Sequence, residues 1–181
     1  MVIGLVIVLA LAVIVISIYN KLVKYAFRVD ETYANIDVIL KQRFDSLGNL
    51  INTVKGYMAH EKDMLVSLTK IRAQLENPNV SETEYFELQN TLSRELPKFM
   101  AVAEGYPELK SNENFLHLQQ TIVYLEENLS AARRTYNAMV NDYNTYIKTF
   151  PAVLLAGTFG HQEKRLFKAT KEEKENITVE F

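Results

Sequence analysis

The chain has 181 residues, 6 Gly, 4 Pro, no Cys and a formal net charge of −2. That length allows one domain with a modest core and an appendage, and the scarcity of Gly and Pro favours helices over sheets. The lack of Cys excludes disulfides, thiolate metal sites and Cys nucleophiles, and the near-neutral charge gives no sign of nucleic acid as a partner.

Residues 1–18, "MVIGLVIVLALAVIVISI", carry no charged side chain. As a helix they rise about 27 Å, close to the hydrocarbon thickness of a bilayer. A cleaved signal peptide would want a basic region ahead of the apolar core and small residues at a cleavage site. Only the amino terminus is positive ahead of the core, and Ile16-Ser17-Ile18-Tyr19 offers poor cleavage geometry, so a retained single-pass anchor is expected. Lys21, Lys24 and Arg28 follow the span and no basic side chain precedes it. The positive-inside rule then predicts an outer N-terminus and a cytoplasmic remainder, with Tyr19 and Tyr25 as interfacial aromatics.

From Lys21 to Asn77 the apolar residues keep a three-four rhythm, through Leu22, Ala26, Val29, Tyr33, Ile36 and Leu40 and on to Leu75. The spacing predicts one long helix continuous with the span, with a stutter at Leu40, Phe44 and Leu47 and a bend near Gly48. Pro78 ends it, and Ser81 with Glu84 forms a capping box for a second helix over 82–104, kinked at Pro97. Gly105 and Pro107 punctuate the next break. A third helix is predicted from Glu113 to Phe150, its stripe including Phe115, Ile122, Leu129, Tyr136 and Tyr143. After Pro151 comes a short apolar segment, then a charged tail expected to hold one short helix and a loose end.

Tyr-Asn occurs at 136–137 and 143–144, and once more at 19–20. Seven residues return a side chain to the same helix face. Tyr136 and Tyr143 are therefore expected to fill the core, with Asn137 and Asn144 bonding across to a neighbouring helix. In "KQRFDSLGNLINTVKGYMAHE" (41–61), Lys41 and Arg43 stand at helical spacings from Asp37 and Asp45 that permit surface ion pairs. Asn49 reads as a buried amide setting helix register.

The chemistry of a catalyst is missing. His60-Glu61 begins like a zinc-protease helix, but Met64 stands where a second His is needed. Glu113 and His117 miss the spacing of a di-metal bundle site by one residue, so Glu61, Asp63, Glu126 and Glu127 read as a solvated face. No catalytic residue, metal ligand or cofactor is assigned, and no enzyme is expected.

The stretches "NIDVILKQRFDSLGNLINTVKGYMAHE" (35–61), "AEGYPELKSNENFLHLQ" (103–119) and "ENLSAARRTYNAMVNDYNTYIKTFP" (127–151) together resemble the LemA family of bacterial membrane proteins. Asn20 and the closing Val179-Glu180-Phe181 also match, while Tyr33 and Gly48 stand where that family commonly has Trp and Pro. The resemblance implies an N-terminal anchor, a cytoplasmic helical bundle and no established enzymatic activity. Its genes often lie near those of membrane proteases, which implies an adaptor for such a protease or for an envelope-stress pathway as the alternative role.

The fold expected is thus all-α, an N-terminal transmembrane helix continuous with a long helix of an antiparallel up-and-down bundle. Its parts are a transmembrane anchor (1–19), a cytoplasmic bundle (20–160) and a charged tail (161–181). The expected role is a scaffold in the bacterial cytoplasmic membrane, with membrane lipid and further copies of itself as partners. Helix one would run roughly 85 Å past the bilayer and helix two would return only about 33 Å. Val29, Tyr33, Ile36 and Leu40 would then lack a partner and are predicted to form the interface between subunits.

Overall fold

A computed structural model describes residues 1–58 and 60–167, with the backbone alone at residue 82. Among the described residues six helices follow in order: α1 (Val2–Val54), α2 (Lys62–Leu75), α3 (Glu82–Ala103), α4 (Pro107–Lys110), α5 (Glu113–Lys148) and α6 (Val153–Ala156). No strand occurs among the described residues, in agreement with the all-α expectation. The matching positions Val179-Glu180-Phe181 lie outside the described residues.

Two compact units divide the chain, one built from 1–36 with 131–181 and the other from 37–130. The long helices α1 and α5 each contribute to both. In the first unit α5 runs antiparallel to α1, because Tyr136 meets Tyr33 at 5.8 Å between ring centroids and Tyr146 meets Tyr25 at 5.1 Å. Val29 and Ile36 on α1 are buried here, as are Ala132, Val140 and Ile147 on α5.

This return overturns one expectation. Val29, Ile36 and Leu40 are buried within the chain itself, at 1 %, 0 % and 1 % exposure, and Tyr33 is half-buried. They are core and not a surface for a second subunit. The physical reason is the length of α5, whose 36 residues span about 54 Å and carry the chain back along the proximal stripe.

The second unit has its own apolar core, with Leu47, Leu50, Val54 and Met58 packed with Leu68 and Ile71 of α2, Leu92, Leu96 and Phe99 of α3, and Phe115 and Ile122 of α5. The long first helix expected through residue 77 ends at Val54. A turn follows, closed by Tyr57 N–H and Met58 N–H donating to the Val54 carbonyl, both at 3.0 Å. Gly56 weakens the helix there by about 1 kcal/mol relative to Ala, and Met58 turns fully inward as the helix stops. Tyr57 and Glu61 are held by Asn112 and by the Tyr106 hydroxyl, at 3.2 and 3.0 Å. The chain therefore folds back, and α2 lies against both α3 and the end of α1.

Gly48 serves this reversal. α1 continues through it, and a Cβ there would meet the Arg72 guanidinium carbon of α2 at 3.0 Å. The missing side chain lets Arg72 lie over the Phe44 ring, 4.8 Å from its centroid. Close approach is what the glycine supplies.

The remaining elements follow their local signals. Ser81 caps α3, its hydroxyl accepting from Glu84 N–H at 3.3 Å, and α3 runs through Pro97 with that residue turned outward.

Candidate functional site

α5 presents the two Tyr-Asn pairs on one face of the first unit, and what they meet is not a helix. Residues 161–167 run without helix or strand, and the two Asn side chains hold them as a strap. Asn144 donates from Nδ2 to the Lys164 carbonyl and accepts from Lys164 N–H, both at 2.9 Å. Asn137 repeats the arrangement on Phe167, donating at 3.0 Å and accepting at 2.9 Å. A carboxamide carries the same donor and acceptor as a peptide group, so each Asn stands in for a missing sheet or helix partner.

The spacings explain why two clamps fit one strap. Seven helical residues advance about 10.5 Å, and three residues of extended chain advance about 10 Å. Asn137 to Asn144 thus matches Phe167 to Lys164 in reverse order. His161, Lys164 and Phe167 are the half-buried residues of the strap, and those between them are exposed.

The tyrosines complete the hold. Tyr136 donates from its hydroxyl to the Arg165 carbonyl at 3.1 Å, and the Tyr143 hydroxyl meets His161 Nδ1 at 3.2 Å. Both rings are buried, at 8 % and 2 % exposure, as the stripe predicts. Phe167 stacks against Tyr33, meets Tyr136 edge-on at 4.9 Å and lies 6.0 Å below the Arg133 guanidinium. Lys164 pairs with Asp30 of α1 and sits 5.7 Å over the Tyr143 ring. Burial first, and then the Asp30 carboxylate, raise the Tyr143 phenol above its ordinary pKa, against a backbone hydrogen bond from Gln162. At neutral pH that group is a protonated hydrogen-bonding phenol, not a nucleophile.

A second polar constellation lies inside the other unit. Arg43, expected on the surface, is fully buried. Its Nε pairs with Glu126 Oε1 at 2.5 Å, Nη1 donates to the Gln89 carbonyl and side chain at 3.2 and 3.1 Å, and Nη2 donates to Ser93 Oγ at 2.9 Å. Ser93 in turn donates to Glu126 Oε2 at 3.1 Å. Glu126 matches the charge and both Nη arms find directional acceptors, which together offset the cost of burying a guanidinium. Glu126 is therefore a structural partner and not part of a solvated face. Lys41 does make the expected surface pair, with Asp45 at 2.8 Å. Asn49 is exposed, and the buried polar group in this part of α1 is Arg43.

Among the described residues no three His, Asp or Glu side chains converge on one point. With this geometry in hand, the family model of the LemA family matches residues 32–181. The chain belongs to the LemA family. It is 24 % identical over 158 residues to Protein LemA of Metamycoplasma hominis, covering 87 % of this chain and 72 % of that protein. It is 23 % identical over 193 residues to Magnetosome protein MamQ 2 of Paramagnetospirillum magneticum, covering 93 % and 71 %. Magnetosome protein MamQ of Magnetospirillum gryphiswaldense is 21 % identical over 174 residues, covering 82 % of this chain and 64 % of that one.

Within the LemA match lie both clamps, the Arg43 network and the strap. Sequence reasoning missed Arg43 although a signal was present. With Arg43 in place of Phe44, the α1 stripe reads Ile36, Leu40, Arg43, Leu47, Leu50 and Val54, alternating fours and threes without a stutter. The strap carried no comparable signal. "HQEKRLF" suits a helix as well as an extended chain, and contacts with α5 select the latter.

Proposed function

We propose that this LemA-family chain is a membrane-anchored helical scaffold, which acts by binding and self-association to organise or shape the cytoplasmic membrane and performs no catalysis. The observation that carries this reading is the start of α1. Its residues 2–17 are all exposed, uncharged and almost wholly apolar, and burial begins only at Ile18. Apolar side chains in that number suit lipid rather than water, and the same helix continues without a break into both units. The relatives named as magnetosome proteins accord with a role at a membrane.

The binding reading is supported by the state of the polar groups. Arg43, Glu126, Asn137 and Asn144 are engaged with one another or with backbone, so they serve the fold. Lys21, Lys24 and Arg28 beyond the span support the reading that the remainder of the chain is cytoplasmic. Copies anchored in one plane meet at a raised effective concentration, which favours lateral assembly through surface outside the buried Val29–Leu40 stripe.

Purification of the full chain in mild detergent, followed by electron microscopy, tests the assembly. A regular homo-assembly is expected, and a monomer that brings a membrane protease with it would refute the scaffold in favour of an adaptor. Topology is tested with Thr135→Cys on this Cys-free chain. The thiol should resist membrane-impermeant reagents in intact cells and react after lysis; ready labelling in intact cells overturns the cytoplasmic placement.

A further inference from the structure

The segment joining α5 to the strap, "TFPAVLLAGTFG" (149–160), contains no charged side chain. It exposes Phe150 by 75 %, Val153 by 48 % and Leu154 by 67 %, while Ala152 and Ala156 are buried beneath them. An apolar face of this kind on a short water-facing turn has no reason in the fold, since none of these three side chains contributes to the core.

Two observations say what covers it. The first is position. Phe159 packs edge-on against Tyr19 at 5.1 Å between centroids, and Tyr146 lies beside Tyr25 at the same distance. The turn is thus level with residues 18–22 of α1, where the uncharged stretch ends and Lys21 begins. Ile18 and Leu22 are buried at this level, although the α1 residues before Ile18 are exposed.

The second is the backbone. Through the turn, N–H groups of Val153, Leu154, Leu155 and Ala156 donate to carbonyls of Thr149, Pro151 and Ala152 at 2.8–3.2 Å. Phe159, Gly160 and His161 continue with bonds to Leu155, Gly157 and Ala156, and Pro151 has no N–H to satisfy. Each backbone donor bonded internally lowers the cost of leaving water for lipid, and the seven donors named here are bonded in this way. Cationic groups border the turn: Lys21 is held 4.8 Å over the Tyr146 ring, and Lys148, paired with Glu163 at 2.8 Å, lies ahead of it. Such groups favour the anionic headgroup layer.

We propose that the 149–160 turn inserts Phe150, Val153 and Leu154 into the leaflet from which α1 emerges, at the shallow boundary of headgroups and acyl chains. The protein then grips one leaflet at two adjacent points, a span and a wedge. This rests on α1 crossing the bilayer, and the test separates the two ideas.

The full chain carries single cysteines labelled with an environment-sensitive fluorophore and is reconstituted in vesicles of phosphatidylcholine and phosphatidylglycerol containing acyl-brominated lipid. Leu9→Cys reports the span. Thr135→Cys lies beside the level of Tyr33, about 21 Å along α1 from Tyr19, and reports water. Leu154→Cys is expected to be quenched severalfold by bromines near the headgroups and less by bromines deep in the chains, while Thr135→Cys is not quenched. Quenching at Leu9→Cys without quenching at Leu154→Cys overturns the wedge and leaves the anchor standing. Quenching at neither position overturns both. If the turn instead packs against a second copy, the Leu154→Cys label is blue-shifted yet insensitive to bromine, which also overturns the proposal.

Discussion

Removing one carboxamide should loosen the strap without unfolding the chain. In Asn144→Ala, Lys164 loses a bond to its N–H and one to its carbonyl, both 2.9 Å long in the parent. A neutral hydrogen bond contributes about 0.5–1.5 kcal/mol net, and an unpaired buried group costs more than an unpaired wet one. The Lys164 side chain is 29 % exposed, so water can reach the freed groups and the lower half of the range applies. The expected loss is about 1–2 kcal/mol, or about 5- to 30-fold faster exchange of the Lys164 amide hydrogen, since 1.4 kcal/mol is tenfold. Hydrogen exchange read by mass spectrometry on the full chain in detergent measures this directly, with α5 amides around Ile122 as the unaffected reference. Asn144→Asp keeps an acceptor for Lys164 N–H but sets an oxygen against the Lys164 carbonyl, so it should fail to restore protection. If Lys164 exchanges in Asn144→Ala as slowly as in the parent, the carboxamide does not hold the strap and the peptide-mimic argument is wrong.

Other outcomes follow from the same packing. Arg43→Ala strands Glu126 and should destabilise by about 3–5 kcal/mol in denaturant titration, whereas Arg43→Met with Glu126→Leu should recover most of that; equal melting of Arg43→Ala and the parent would remove the network from the core. Ile36→Lys places a charge at a fully buried position and should abolish the helical circular-dichroism melt of the first unit; a folded but dispersed protein would restore the subunit-interface reading. Tyr143→Ala should cost about 3–5 kcal/mol by analogy with Phe truncation. Tyr143 has its pKa raised on folding, so its protonated form is favoured in the native state: that contribution is complete below about pH 10 and is lost as pH rises toward the native pKa. Stability should therefore fall more steeply above pH 10 in the parent than in Tyr143→Phe, and identical alkaline profiles would contradict the assignment.

Local signals determined much of this protein. An uncharged run of 18 residues, a Ser-x-x-Glu cap and three-four periodicity each act within a few turns of chain, and each led to the element observed. Tyr136 and Tyr143 were core by spacing alone. What periodicity could not decide was direction. The stripe from Val54 through Met58 to Leu75 reads alike for one straight helix and for two folded back on each other, because both bury the same face. The choice fell to contacts between distant residues: Met58 entering the core, Arg72 fitting over Gly48, and Tyr106 holding Glu61. The same holds for the partners of polar groups. Arg43 and Asn49 are both polar residues in one apolar helix, and which is buried depends on Glu126, Gln89 and Ser93 lying opposite one of them. Asn137 and Asn144 were placed on the correct face, yet their partner was a strap with no signature of its own. A carboxamide bonds helix, sheet or loose backbone equally well, so only the return of α5 along α1 and the three-residue register of residues 164–167 made the choice.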